Sequence, residues 1–228
     1  MSYNKTKTDP ALGQSIHEYL VKQGVETPTK DNNLSRTDKI EVIEKHFIQI
    51  MEALGLDLTD DSLMDTPKRV AKMYVNEIFY GLDYSQFPKC TTIENKMGKN
   101  SAGSFVVERN INVQSNCEHH FVVIDGKAAV AYIPRAKVLG LSKLNRIVEF
   151  YAKRPQVQER LTEQIAAAIA FVTETEDVAV YLDAVHYCVK SRGIQDTGSS
   201  TCTLAVDGVF AEYNSDIRRE FLNLVRMT

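Results

Sequence analysis

The chain has 228 residues, 43% hydrophobic and 25% charged, an ordinary composition for a globular protein with a sizeable core. Its 27 basic and 30 acidic side chains leave a formal charge of −3, so nothing global recommends a nucleic acid or a membrane surface as partner, and any anion site must be local. No apolar run approaches the roughly 18 residues of a membrane span, the N-terminus lacks a signal-peptide core, and Cys90, Cys117, Cys188 and Cys202 are too scattered for a secreted disulfide framework, so a cytoplasmic location is expected.

Residues 1–35 read as a mobile lead-in with one short helix (Ile16, Leu20, Val21), 36–100 as a helical region, and 101–228 as the core carrying the chemistry. "SRTD" from Ser35 resembles a capping box, and Ile40, Ile43, Phe47, Ile50, Met51 and Leu54 follow at helical spacing up to Gly55. "TPKRVAKMYVNEIF" predicts a second helix, with Thr66 as N-cap, Pro67 in the first turn and Gly81 as its end. "SFVVERNINVQS" alternates as a strand does, and "FVVIDGKAAVAYIP" offers two apolar stretches around Asp125-Gly126, each readable as strand. Ser142 is the expected cap of a helix through Leu144, Ile147, Val148 and Tyr151, and Pro155 opens another through Val157, Leu161, Ile165, Ile169 and Val172. A strand over 178–190, a polar loop over 191–203, a strand over 204–210 and a helix through Ile217, Phe221 and Leu224 complete the chain. This order favours an α+β fold with antiparallel pairing.

The connection between the first two long strands carries "SNCEHHF". Cys117 and His120, three apart, can reach one ion, and "HYC" at 186–188 offers His186 and Cys188 on one face of a strand. Two readings stay open: Cys117, His120 and Cys188 bind zinc with an open position while His119 and His186 do proton chemistry, or four or five groups seal the ion for structure. A Cys117–Cys188 disulfide is a further alternative, disfavoured by the expected compartment.

Gln158 and Glu159 fall in the first turn of the Pro155 helix, where a carboxylate complements the free N–H groups and can also accept two hydrogen bonds from an edge such as guanine N1–H and its 2-amino group. Arg69 with Lys72, Lys143 with Arg146, and Arg192 near Cys188 are candidate anion-binding cations; each pair taken alone reads more readily as a solvated face. No Gly-rich phosphate loop is present.

Between about residues 40 and 195, "DDSLMDTPKRVAKMYVNEIFYGLDY", "CEHHFVVIDGKAAVAYIP", "GLSKLNRIVEFYAKRPQVQERLTEQI" and "DAVHYCVKSRGI" closely resemble GTP cyclohydrolase I. The resemblance implies the tunnelling fold, an antiparallel sheet with helices packed on one side whose copies join into a barrel, as a homodecamer of two pentamers with active sites between subunits. It implies GTP as substrate, one Zn²⁺ per subunit on Cys117, His120 and Cys188, and no nucleic-acid or membrane partner. The reaction it implies is hydrolytic opening of the GTP imidazole ring, release of formate and closure to 7,8-dihydroneopterin triphosphate, the first step of folate or biopterin synthesis. By the same resemblance His119 and His186 move protons, Ser142 assists at the ribose, Gln158 and Glu159 grip guanine, and Lys143, Arg146, Arg192, Arg69 and Lys72 hold the triphosphate. Gln195 stands where many relatives carry a basic residue, and Cys202 receives no role. A pterin synthase or nitrile reductase of the same fold would need another ligand or nucleophile set, and a zinc-stabilised scaffold would leave the cations and Glu159 without a task.

Overall fold

The structure, a computed structural model, describes residues 7–96 and 104–226; the first six residues of the expected lead-in and the expected boundary between residues 100 and 101 lie outside the described residues. Helix α1 (Pro10–Gln23) starts where Asp9 accepts from Leu12 N at 3.0 Å and stops at Gly24, whose φ of 73° suits glycine. The part of the lead-in that forms α1 is docked: Ile16 and Leu20 are fully buried, and only Val21 of the predicted stripe faces solvent.

Helix α2 (Arg36–Ala53) carries the predicted capping box, with Ser35 and Asp38 bonded reciprocally. It pairs with α3 (Thr66–Met73), which is capped by Asp65 rather than Thr66 and ends well before Gly81. The aromatic and β-branched run that follows has modest helix propensity, and at Tyr74–Ile78 the helix widens into a single π turn.

Two short strands, β1 (Thr92–Glu94) and β4 (Lys137–Leu139), pair with each other. The main sheet contains β2 (Val106–Cys117), β3 (Val123–Tyr132), β5 (Pro155–Gln156), β6 (Val178–His186) and β7 (Thr201–Val206), in the order β5-β2-β3-β6-β7. All neighbours are antiparallel except β5, which runs parallel to Asn116 and Cys117 at the end of β2. The two stretches around Asp125-Gly126 prove to be one strand, because β6 passes so close to Gly126 that a Cβ there would lie 2.2 Å from Asp183 O. Pro155 therefore belongs to a strand, and the helix it was expected to open begins at Gln158. Strand β7 begins at Thr201, three residues before the expected start.

Helices α4 (Leu141–Ala152) and α5 (Gln158–Thr173) bury Leu144, Ile147, Val148, Leu161, Ile165 and Ile169 against Val113, Ile124, Val130, Val180 and Leu182 of the sheet. Each fully buried Leu or Ile contributes roughly 1.5–3 kcal/mol relative to exposure. A bulge between Glu108 and Ile111, with Asn110 at φ 58°, resets the alternation of β2 so that Ile111, Val113 and Cys117 face these helices. The helices are not confined to one side as expected. Ala129, Ala131 and Ala179 leave room on the opposite face for Phe210 and for Phe221 of α7 (Asp216–Arg226). No helix among the described residues is long and apolar enough to cross a membrane.

Candidate active site

The end of β2, the turn after it, the start of α5 and the end of β6 converge. Cys117 is the last residue of β2, and its turn is closed by Cys117 N on Val122 O (2.8 Å), Phe121 N on Cys117 O (2.8 Å) and Asn116 Nδ2 on Phe121 O (3.1 Å). Closure places Phe121 at φ 54°, a left-handed conformation unusual for an aromatic residue. Its ring is held between Tyr74 and Phe79 at centroid distances of 6.1 and 5.1 Å, so the π turn braces the motif. Glu118 N is bound by Gln156 O at 3.0 Å, which ties the turn to β5.

Strand β6 ends at His186, and Cys188 lies in the short helical turn α6 (Tyr187–Lys190), not two residues along a strand as expected. The reason is the ladder: His186 pairs with Ile124, and β3 starts one residue before that, so Tyr187 has little strand left to pair with. The turn still brings Cys188 to the cluster. One donor atom each from Cys117, His120 and Cys188 lies within 4.8 Å of the others, with Cys117 Sγ 3.9 Å from His120 Nδ1. All four cysteines are free thiols. Burial, followed by the hydrogen bond and charge of Cys117, pushes the Cys188 thiol up, because two adjacent thiolates repel unless a cation lies between them. Two sulfurs and an imidazole at this spacing fit a zinc-like dication, which deprotonates coordinating thiols.

The remaining histidines flank this cluster. The exposed His119 has Nδ1 3.6 Å from Cys117 Sγ and Nε2 3.8 Å from Glu118 Oε1. His186 Nε2 donates to Gln158 Oε1 at 2.7 Å. The amide orientation follows from its other end, since Gln158 Nε2 donates to Leu182 O (3.2 Å), Thr201 O (2.7 Å) and Thr203 Oγ1 (3.2 Å). His186 therefore carries its ring proton on Nε2, leaving Nδ1 as the acceptor. Desolvation lowers its pKa below the usual 6.5, only partly opposed by the charge of Glu159, so the ring is neutral at neutral pH.

Several predicted residues are placed differently from expectation. Gln158 is 1% exposed and its side chain is fully engaged inside the protein, so the residue expected to grip a base edge holds a histidine. Glu159, one position along, is exposed at the start of α5 with its charge near His186. Arg192 Nη1 donates to His120 Nε2 at 2.7 Å, so this cation does reach the cluster. Arg69 and Lys72 lie on the exposed side of α3, with Arg69 3.4 Å from Asp65.

Ser142, Lys143 and Arg146 are not brought to the thiols. Gly140, not Ser142, caps α4, and Asn145 Nδ2 lies 3.4 Å from Glu108 Oε1. Glu108 is at the opposite end of β2 from Cys117, roughly 25–30 Å away at about 3.3 Å per residue. Lys143 and Arg146 instead sit near Cys90, whose thiol feels both charges.

The Glu118–Arg160 pair escaped the sequence reading, and Cys202 sits elsewhere than expected. Arg160 donates through both Nη atoms to Glu118 Oε2 at 2.8 Å. Cys202 lies on β7 with Tyr181 OH donating to its sulfur at 3.0 Å, outside the loop to which it was assigned. Lying 42 positions apart, Glu118 and Arg160 gave no local signal of being partners.

Fold and site thus define an α+β protein in which two thiols and an imidazole could hold a metal ion beside an oriented histidine. The GTP cyclohydrolase I family profile matches residues 43–226. GTP cyclohydrolase 1 of Vibrio campbellii is 57% identical over 211 residues, covering 92% of this chain and 95% of its own. The GTP cyclohydrolase 1 of Vibrio vulnificus is 55% identical over 213 residues (93% and 96%), and that of Edwardsiella ictaluri 54% over 211 (92% and 94%). The chain belongs to the GTP cyclohydrolase I family.

Proposed function

We infer that this protein converts GTP and one water into formate and 7,8-dihydroneopterin triphosphate, opening the imidazole ring at C8 and reclosing it with ribose carbons. The observation that carries the reading is the convergence of Cys117, His120 and Cys188 within 4.8 Å beside His186, whose tautomer is fixed by Gln158. Zn²⁺ held by these three residues supplies Lewis-acid activation of water. Arg192, which donates to His120 Nε2 at 2.7 Å, is the cation that would turn from the cluster to a substrate phosphate.

His186 Nδ1, the open acceptor of a neutral ring, takes the proton of the adding water and passes it to purine N7. His119 moves protons in ring opening and formate release. Glu159 accepts guanine N1–H and the 2-amino group; adenine lacks this donor pair, which gives a basis for discrimination.

Ser142, Lys143, Arg146, Arg69 and Lys72 act on the ribose and triphosphate from neighbouring copies. This reading is supported by the distance of α4's start from Cys117 and by the sheet's open edges. In a barrel, the β7 edge of one copy meets the part of β2 that the two-residue β5 leaves unpaired in the next, and the four alternating strands β2, β3, β6 and β7 keep the junction antiparallel. A decamer of two pentamers in the tunnelling fold satisfies both conditions.

The test is incubation of zinc-loaded protein with GTP, assaying formate and, after oxidation and dephosphorylation, fluorescent neopterin. Both products, lost in Cys188→Ser, support the reading. Formate without neopterin removes the rearrangement, and neither product from a zinc-loaded oligomer removes the activity.

A further inference from the structure

We propose that Glu118 and Arg160 form a positioning relay that sets the direction of His119. The inference rests on the reading of His119 as a proton-moving group. Both guanidinium nitrogens of Arg160 converge on Glu118 Oε2 at 2.8 Å, which leaves Oε1 facing His119 Nε2 at 3.8 Å. The two side chains are only 17% and 27% exposed, so solvent screens them less than an ordinary surface pair.

The ion pair is not needed to shape the turn. Its backbone is already closed by the Cys117–Val122, Phe121–Cys117 and Asn116–Phe121 bonds and pinned to β5 through Glu118 N. What those bonds leave undetermined is where the Glu118 carboxylate points. Arg160 determines it, and the carboxylate, 3.8 Å from Nε2, in turn draws the exposed imidazole toward Oε1 by its charge and so gives the ring a preferred direction. Arg160 also directly follows Glu159 on α5. The helix end that presents a carboxylate to the base edge thereby also orients His119, which couples the position of the purine to the proton-moving group.

The experiment measures kcat and KM for GTP, zinc per chain and thermal midpoint for Arg160→Met, Arg160→Lys, Glu118→Gln and the double variant Glu118→Gln/Arg160→Met. Formate release by the wild type is the reference; its absence would overturn the functional reading itself, before any variant is compared. The relay predicts a kcat loss of about 10–100-fold in Arg160→Met and Glu118→Gln, with KM and zinc content within about twofold of wild type. It also predicts partial recovery in Arg160→Lys and a double variant no worse than the poorer single variant. Near-wild-type kcat in either Arg160→Met or Glu118→Gln, losses that multiply in the double variant, or losses that follow zinc content or thermal midpoint would each overturn it.

Discussion

His186 and Gln158 are locked together: the imidazole gives its Nε2 proton to an amide oxygen whose nitrogen is committed to Leu182 O, Thr201 O and Thr203 Oγ1. Thr203 in turn lies 2.6 Å from Thr162 Oγ1, which donates back to Gln158 O, so the unit is closed on itself. Gln158→Glu replaces the amide nitrogen by an acceptor and sets a carboxylate against the ring. A carboxylate favours imidazolium, so the His186 pKa rises from its depressed position, and kcat at neutral pH falls by about 10–100-fold. Histidine NMR titration and steady-state kinetics check the two halves. In the wild type, activity depending on neutral His186 persists as pH falls to 6.5 and is lost only below it; a bound dication pushes in the same direction.

Arg154 is the other polar group on which the architecture depends. It is 1% exposed, bonded to Glu26 Oε1 (2.9 Å), Thr27 Oγ1 (3.3 Å) and Gly81 O, and stacked within about 5 Å of Tyr84, Phe150 and Tyr151. It directly precedes β5, so it links the segment after α1 to the strand that supports Cys117. Arg154→Met takes the guanidinium from the Glu26 carboxylate, leaving it Thr27 N, His17 Nδ1 and the Tyr84 hydroxyl, and lowers stability by about 3–5 kcal/mol, while adding Glu26→Gln recovers part of the loss. Urea denaturation at matched protein concentration measures both. A loss below about 1 kcal/mol in the single variant would refute this role.

Burial pushes the Cys90 thiol up to about 12, against the nearby charges of Lys143 and Arg146. Cys202 is exposed. At pH 8 an alkylating reagent should therefore modify Cys202 in the folded protein and reach Cys90 only on unfolding, as peptide mapping would show. The folded chain keeps the Cys90 proton to about pH 12, whereas an unfolded chain releases it near 9.0. Folding stability consequently falls as pH rises from 9 toward 12, with Tyr80 and Tyr84, both raised chiefly by burial, acting in the same sense.

How much of this was legible beforehand depended on whether the information was local. Ser35 and Asp38 announce their capping box within four residues, and Cys117, His120 and Cys188 announce a ligand set by residue type. Gln158 misled because its neighbour Glu159 suggested a shared task, whereas helix periodicity turns the two side chains about 100° apart, one inward and one outward. Where β6 stops is decided by β3's last available partner, which no propensity of "HYC" encodes. Nor can sequence spacing reveal that α4, with Ser142 in its first turn, begins at the far end of the sheet, since it is the antiparallel pairing of β3 with β2, Tyr132 opposite Val106, that carries the chain there.

That last displacement leads to a prediction about assembly. If the thiol cluster of one copy works with Ser142, Lys143 and Arg146 of another, Cys188→Ser and Arg146→Ala inactivate different halves of the same site. Each homo-oligomer should then be nearly inactive. Co-assembly in equal amounts should rebuild sites pairing an intact cluster from the Arg146→Ala chain with an intact cation from the Cys188→Ser chain. Random mixing of such heterologous interfaces restores about a quarter of the sites. Neopterin formation by co-refolded chains, compared with separately refolded chains mixed afterwards, measures the recovery. Activity no greater than the sum of the two homo-oligomers would place the whole site within one chain, and α4 would then have to move by the length of the sheet to reach Cys117.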